Sequence, residues 1–379
     1  TPIIIALLFL NWLIEEDFKN KFQTILKNKL ALLFISFYLL HLIGLLYTEN
    51  IDSGLLDIQI KLSLFIFPIV LASRPFNELQ RNIIFKGLVA GGLLSAILMV
   101  VRAMYIYFTT GENDFFYQAF SFLLHPSYLA MYLNTAIAWL LYNLLQNKFT
   151  GNKKWSFFTI LIILFFSFII FLLSSKMGLI TMVLSYICFL LYYIISRKKY
   201  MFGLIGLVTI LISVYSVIRF VPEISGRVNR AISAVTSTTS NQTDIESTAV
   251  RLLIWKAANQ VISENLLIGT GTGDAKDALL VEYQKRGMTG ALEHRLNSHN
   301  EYYQVFVSLG LIGFVFLLAQ LLLPLGYAFK NQNFIYILFL VIIILNFLTE
   351  SMFETEAGVM FIAFFNSLLC FTNKKLLAN

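Results

Sequence analysis

The chain has 379 residues, 58% hydrophobic, 15% aromatic and 13% charged, with a formal charge of +7 and a mean hydropathy of +0.76. Soluble domains carry about 25% charged residues, so these proportions exclude an ordinary soluble domain and require that much of the apolar surface be solvated by lipid. An outer-membrane barrel is excluded too, because its alternating polar lumen needs more polar residues than remain. The fold class is all-α, a polytopic transmembrane helical bundle. The positive charge points to anionic partners and membrane lipids, and no nucleic-acid partner is expected.

The first run, Thr1 to Ile14, has no basic residue before it and is followed by Glu15, Glu16 and Asp17, so it is not a signal peptide. As a helix it spans only about 21 Å against a hydrocarbon core of roughly 30 Å, and residues upstream of the initial Thr are expected. Apolar segments able to span run at 1–14, 30–47, 60–73, 83–108, 119–146, 155–174, 177–196, 201–221, 300–328, 333–349 and 357–373. That gives about 11 spans, or 12 with a preceding helix. The organisation is therefore spans one to eight over 1–221, one large external loop over 222–299, and spans nine to eleven over 300–379. Within the loop, Ser225 to Thr248 is rich in Ser, Thr, Asn and Gln and reads as flexible. Ala249 to Glu264 reads as an amphipathic helix with Val250, Ile254, Ala257, Ala258 and Val261 on one face, capped by Ser247 or Thr248 and lying on the membrane surface or on the spans. Cys188 and Cys370 lie in apolar runs, which argues against a disulfide framework or a metal cluster.

Charge sets the orientation. Alternate short connections carry sixteen Lys and Arg in one set (Lys19, Lys21, Lys27, Lys29, Arg74, Arg81, Lys86, Lys148, Lys153, Lys154, Arg197, Lys198, Lys199, Lys330, Lys374 and Lys375) against two, Lys61 and Lys176, in the other. The second set holds the acids Glu49, Asp52, Asp57, Glu112, Asp114, Glu350, Glu354 and Glu356. Cytoplasmic loops retain basic residues, so the first set is expected inside and the second, with the 222–299 loop, outside.

On that topology the rare ionisable residues of the spans gather at the external side: His41, Arg102, His125, Lys176, Arg219, His294 and His299. Such convergence points to a polar site in the outer leaflet, with snorkelling to the interface as the bland alternative for Arg102 and Arg219. Lys176, in Leu173-Ser174-Ser175-Lys176-Met177-Gly178, is either an interface anchor or a cation for an anionic ligand. Arg251 is either a lipid-phosphate contact or a bidentate clamp on a substrate phosphate. His299 is either a passive helix-cap residue or a base, the imidazole being suited to proton abstraction near neutral pH. Gly269-Thr270-Gly271-Thr272-Gly273 follows an amphipathic helix and lacks a Lys-Ser/Thr, so it reads as a turn returning the loop to the membrane and not as a nucleotide loop. His294 and His299, flanked by Glu293 and Glu301, are too weak a constellation for a metal site.

The ordered set Arg251-Leu-Leu-Ile-Trp255, Gly269 to Gly273 and His299-Asn-Glu-Tyr-Tyr-Gln-Val-Phe-Val-Ser-Leu-Gly-Leu-Ile-Gly313 resembles the O-antigen ligase and polymerase superfamily of bacterial envelope glycosyltransferases. His125 to Ala130 and Glu350 to Glu356 are similar to segments on either side. The resemblance implies a multi-pass inner-membrane enzyme with its active site facing the periplasm. It implies transfer of a glycan from undecaprenyl diphosphate to an acceptor, without metal or cofactor. It assigns His299 the catalytic role and Arg251 the diphosphate, with Lys176 standing where the family carries an arginine. Arg102 and Arg219 are further candidate diphosphate cations, and His125, His294, Glu301 and Ser175 candidate contacts to sugar or acceptor. A ligase using a lipid A-core acceptor is expected, with a polymerase, a protein glycosyltransferase or a flippase as alternatives. Transport is disfavoured because no broken midplane helix is evident in the sequence.

Overall fold

The computed structural model describes residues 2–146, 153–198, 200–220, 226 and 248–372. Its helices are, in chain order, α1 (Pro2–Ile14), α2 (Phe18–Lys27), α3 (Lys29–Gly44), α4 (Ile51–Lys61), α5 (Ser63–Ser73), α6 (Glu78–Thr110), α7 (Tyr117–Phe120), α8 (Pro126–Leu145), α9 (Lys153–Leu173), α10 (Lys176–Arg197) and α11 (Tyr200–Phe220). They continue with α12 (Thr248–Glu264), α13 (Ala275–Lys285), α14 (Thr289–Glu293), α15 (Glu301–Lys330), α16 (Phe334–Asn346) and α17 (Glu356–Phe371). Among the described residues, seven stretches are long and apolar enough to cross a membrane: Lys29–Tyr47, Ile51–Ser73, Glu78–Thr110, Pro126–Leu145, Lys154–Leu173, Lys176–Ile195 and Glu301–Lys330. The protein is a polytopic helical membrane protein.

Every segment expected to span is helical, with three departures. The 119–146 segment holds the end of α7, then leaves the helix at Ser121 and resumes it at Pro126, where His125 Nδ1 accepts the Ser127 N–H at 3.4 Å and a proline at the first position starts a helix well. The 60–73 segment is preceded by α4, so helix extends upstream to Ile51. The third departure, a break in α15 at Gly310, is described below. The polar stretch Ser225 to Ser247, apart from Gly226, lies outside the described residues, as do Lys148, Lys199, Lys374 and Lys375.

Two compact units divide the chain differently from its order of spans: Thr1–Glu78 with Asn229–Asn331 and Phe347–Asn379, and Leu79–Val228 with Gln332–Asn346. The late helices α15 and α17 join the first unit because α15 packs on α3 and α17 on α5. In the second unit α8 packs against α9, α10 and α16. There Asn134 Nδ2 lies 2.9 Å from both the Gly178 carbonyl and Thr181 Oγ1, clamping the start of α10 to α8.

The polar contacts of the first unit sort its charges by the same two sets as the loop count. Glu15 lies 3.7 Å from Lys21 and 3.4 Å from Arg74, all around the connections of the basic set. Members of the acidic set instead meet the 248–299 region. The Asp274 carboxylate accepts the N–H groups of Glu49 at 2.7 Å and Asn50 at 2.8 Å. Asn50 Nδ2 donates to Asp277 at 2.7 Å. That region is more than a loop with one helix: α12, α13 and α14 enclose an apolar core of Val250, Ile254, Ala257, Val261, Leu279 and Tyr283, joined by Val307 of α15. All five residues expected on the apolar face of the helix are buried, against neighbouring helices and not against lipid. Each large apolar side chain so buried contributes about 1.5–3 kcal/mol.

The Gly-Thr-Gly-Thr-Gly segment is a turn, as expected, and it closes backbone to backbone on α15. Thr270 N–H donates to the Val307 carbonyl at 2.9 Å and Gly271 N–H to Ser308 at 3.0 Å. In the other direction Leu311 N–H donates to Leu266 at 2.8 Å and Ile312 N–H to Leu267 at 3.3 Å. The exchange requires α15 to leave helical geometry at Gly310, where φ is +62° and ψ is −158°. Gly269, at φ +72°, faces it: a Cβ on either glycine would stand 2.5 Å from the other's backbone nitrogen. Gly269→Ala and Gly310→Ala are each expected to cost about 1–3 kcal/mol from the left-handed backbone alone, with the clash added. The check is the thermal midpoint of detergent-solubilised protein, which should fall for both single variants.

Candidate functional site

Arg251 stands in the first turn of α12 and reaches the connection between α16 and α17. Its Nη1 donates to the Thr349 carbonyl at 2.7 Å and its Nη2 to Glu350 Oε1 at 2.9 Å. The other carboxylate oxygen, Oε2, lies 3.5 Å from His299 Nδ1. Arg251, Glu350 and His299 therefore form a row in which one carboxylate is hydrogen-bonded to a guanidinium and lies within ion-pair distance of an imidazole whose Nδ1 makes no hydrogen bond. Glu350 is largely buried, while Arg251 and His299 each keep about a fifth of their side chains exposed. A guanidinium has five N–H donors, and the bonds to Thr349 and Glu350 leave others for an anion.

The segment bearing His299 is locked in place. Ser298 Oγ donates to the Asn300 carbonyl at 2.8 Å and lies 3.1 Å from Ser351 Oγ. Asn300 N–H donates to Ser351 Oγ at 3.2 Å and its Nδ2 to the Leu348 carbonyl at 3.0 Å. Trp255 Nε1 donates to the Ser298 carbonyl at 3.0 Å, and its ring stacks on Tyr303 at 5.8 Å. The cap of α15 is Asn300, whose side chain accepts the Tyr303 N–H at 3.2 Å. His299 precedes the cap in a left-handed conformation, φ 45°, so the cap reading of this residue is replaced by one in which its imidazole faces Glu350.

Beneath this row the first unit buries a second set of charges. Lys61, 2% exposed, pairs with Asp57 and lies 3.3 Å from Glu354. Glu301, 0% exposed, accepts the Phe353 N–H at 2.8 Å through Oε2 while its Oε1 has no hydrogen-bond partner. Its burial removes Glu301 from the expected acceptor contacts: it fastens the 351–354 turn from inside. His41 is equally buried, its Nδ1 2.9 Å from the Phe37 carbonyl.

The remaining residues expected at the site take other places. His294 is exposed at the end of α14. In the second unit Ser175 caps α10, accepting the Gly178 N–H at 3.2 Å, and is buried. That makes it a structural hydroxyl, while Lys176 beside it is exposed. Arg102 is held by Asp114 at 3.2 Å and by the Ala119 carbonyl at 2.8 Å, over the ring of Phe122. Arg219 lies exposed in the last turn of α11. His125 caps α8 and packs edge-on against Tyr117 and Tyr128. Among the described residues no three His, Cys, Asp or Glu side chains are grouped to hold a metal ion. Glu350 is the site residue that sequence reasoning missed. Its signal was present as an acid following the apolar run Phe334 to Leu348, but its partner lies 99 positions away.

A family model described as O-Antigen ligase matches residues 160–318, which include Lys176, Arg251 and His299. That match supports the resemblance of this stretch to the O-antigen ligase and polymerase superfamily. Over 186 residues the chain is also 26% identical to an uncharacterized protein of Haemophilus influenzae, covering 46% of each. The match thus spans about half the length of that curated relative. Glu350 and the Lys61 cluster lie outside the superfamily match, and the fold alone ties them to it.

Removing Lys61 leaves two carboxylates without their counter-charge, which for buried pairs costs about 3–5 kcal/mol. Lys61→Met is expected to lower the thermal midpoint strongly, and Lys61→Met combined with Asp57→Asn and Glu354→Gln to recover most of the loss. Equal midpoints for the single and triple variants would refute the compensation.

Proposed function

We propose that this protein is a membrane glycosyltransferase of the ligase type. It moves a glycan from undecaprenyl diphosphate to a lipid A-core acceptor on the periplasmic side of the inner membrane. The observation that carries the reading is the row Arg251, Glu350, His299 within a multi-pass bundle that resembles this superfamily. Glu350 faces the Nδ1 edge of His299, which leaves Nε2 to act as base. As the acceptor hydroxyl attacks the anomeric carbon, its proton passes to Nε2 and the new C–O bond forms. The bond to the diphosphate breaks at the same time, with its electron pair leaving on the phosphate oxygen, and the anomeric configuration inverts. Arg251 meets the charge that develops on the leaving diphosphate, where a fixed cation in a partly desolvated site is most effective. Lys176 has the same charge role by resemblance, without the bidentate fork of an arginine.

The roles separate in kinetics. His299→Ala should lower transfer by about 10²–10⁴-fold, the usual worth of a general base, in protein that still inserts and extracts normally. Glu350→Gln should reduce kcat, and Arg251→Lys should weaken carrier use, read as kcat/KM for the lipid-linked donor. Purified protein given lipid-linked glycan and lipid A-core should place glycan on the lipid A-core. Lengthened carrier-linked chains instead would make it a polymerase, and full activity of His299→Ala would remove the proposed base.

A further inference from the structure

The segment that leads from α12 into the glycine turn carries three consecutive large apolar side chains that nothing in the first unit covers. Leu266, Leu267 and Ile268 are 51%, 63% and 51% exposed. They sit beside exposed Leu311, Ile312 and Val315 of α15, to which the segment is hydrogen-bonded through Leu311 and Ile312. Exposed Leu42, Ile43 and Leu46 lie at the end of α3, next to Gly44, whose carbonyl accepts the Thr272 N–H at 3.4 Å. The three side chains thus continue the apolar outer faces of two membrane-crossing helices.

Their depth follows from α15. From Gly310 to Lys330, about 20 residues at 1.5 Å each give roughly 30 Å, the thickness of the hydrocarbon core. The break is therefore at the level where the core meets the headgroups, at the end of the span and not at its middle. The Leu266–Ile268 segment pairs with the residues just past it. Non-helical backbone within the hydrocarbon must have its polar groups satisfied by the protein, whereas at its boundary headgroups and water can serve them. The three carbonyl oxygens are satisfied internally, Leu266 accepting from Leu311 N–H, Leu267 from Ile312 N–H and Ile268 from Tyr47 Oη at 2.6 Å. The three N–H groups make no hydrogen bond within the protein, which places this backbone at headgroup level with only its side chains deeper. A water-facing loop has no need of internal partners for its carbonyls, and would not ordinarily present three large apolar side chains in a row. The tyrosine adds the amphipathic ring favoured at a membrane interface.

We propose that Leu266-Leu267-Ile268 is a membrane-inserted lip, its side chains among the lipid acyl chains of the leaflet on the side of the 248–299 region. The lip follows directly on α12, so it anchors the C-terminal end of that helix. If Arg251 binds a carrier diphosphate as proposed, the lip fixes to the membrane one end of the helix that carries it.

The test uses the full chain in proteoliposomes, with Cys188 and Cys370 replaced by Ala. An environment-sensitive fluorophore is placed on Leu267→Cys or, for comparison, on Gln284→Cys of the exposed face of α13. The label at 267 should emit to the blue, be quenched severalfold by lipids brominated on their acyl chains, and be protected from aqueous iodide. The label at 284 should behave in the opposite way. Iodide quenching at 267 equal to that at 284, with no effect of brominated lipid, would overturn the proposal. Neither donor nor acceptor glycan enters the measurement, so its outcome is independent of whether the transfer reaction holds.

Discussion

A polar group inside a lipid-solvated bundle has no water to turn to, and leaving it without a partner in the protein is costly. That constraint shapes the first unit more than any single apolar contact. It explains why Lys61 is held between two carboxylates, and why the carbonyls exposed by the Gly310 break are taken up by a turn from 37 residues earlier in the chain. The same demand makes Glu350, largely buried, use both of its oxygens. The reciprocal glycines are the steric condition for one of these solutions, because no side chain fits between the two backbones.

The site is built at the meeting of three segments that are distant in sequence: the start of α12, the entry to α15 and the turn before α17. None could orient an imidazole alone. Ser298, Asn300 and Ser351 bind the last two to each other, and Trp255 binds the first to the second. Electrostatic stabilisation depends on groups that need not reorganise when charge develops, and this stitching supplies the rigidity. The buried Lys61, Asp57 and Glu354 set, with Glu301 on the same turn, extends the support away from the reacting groups.

The helices were readable because lipid solvation writes them as long apolar runs, and the face of α12 because its period separates buried from exposed positions. Arg251 and His299 came from an ordered resemblance, and the structure joins them through Glu350. That carboxylate stood among the external acids and in a segment similar to the superfamily, but its pairing was not legible, because a contact across 99 positions leaves no local trace and its neighbours offered several other acids. The break in α15 was hidden because the apolar pattern runs through Ser308-Leu309-Gly310 without interruption, and a glycine in a membrane helix is commonplace. Glu301 was expected to contact sugar or acceptor, yet as the first residue of α15 it is fully buried and accepts the Phe353 N–H. The polar face gathered by sequence divides between the two units, with Arg251, His294, His299 and Glu301 in one and Arg102, His125, Ser175, Lys176 and Arg219 in the other.

The left-handed backbone of His299 sets folding against function at one position. A residue with a Cβ held at φ 45° carries a strain of order 1 kcal/mol, offset by the hydrogen bonds of the residues on either side. Glycine or asparagine would sit there more comfortably. Under the proposed role of His299 as base, the imidazole is kept at that position at some expense of stability.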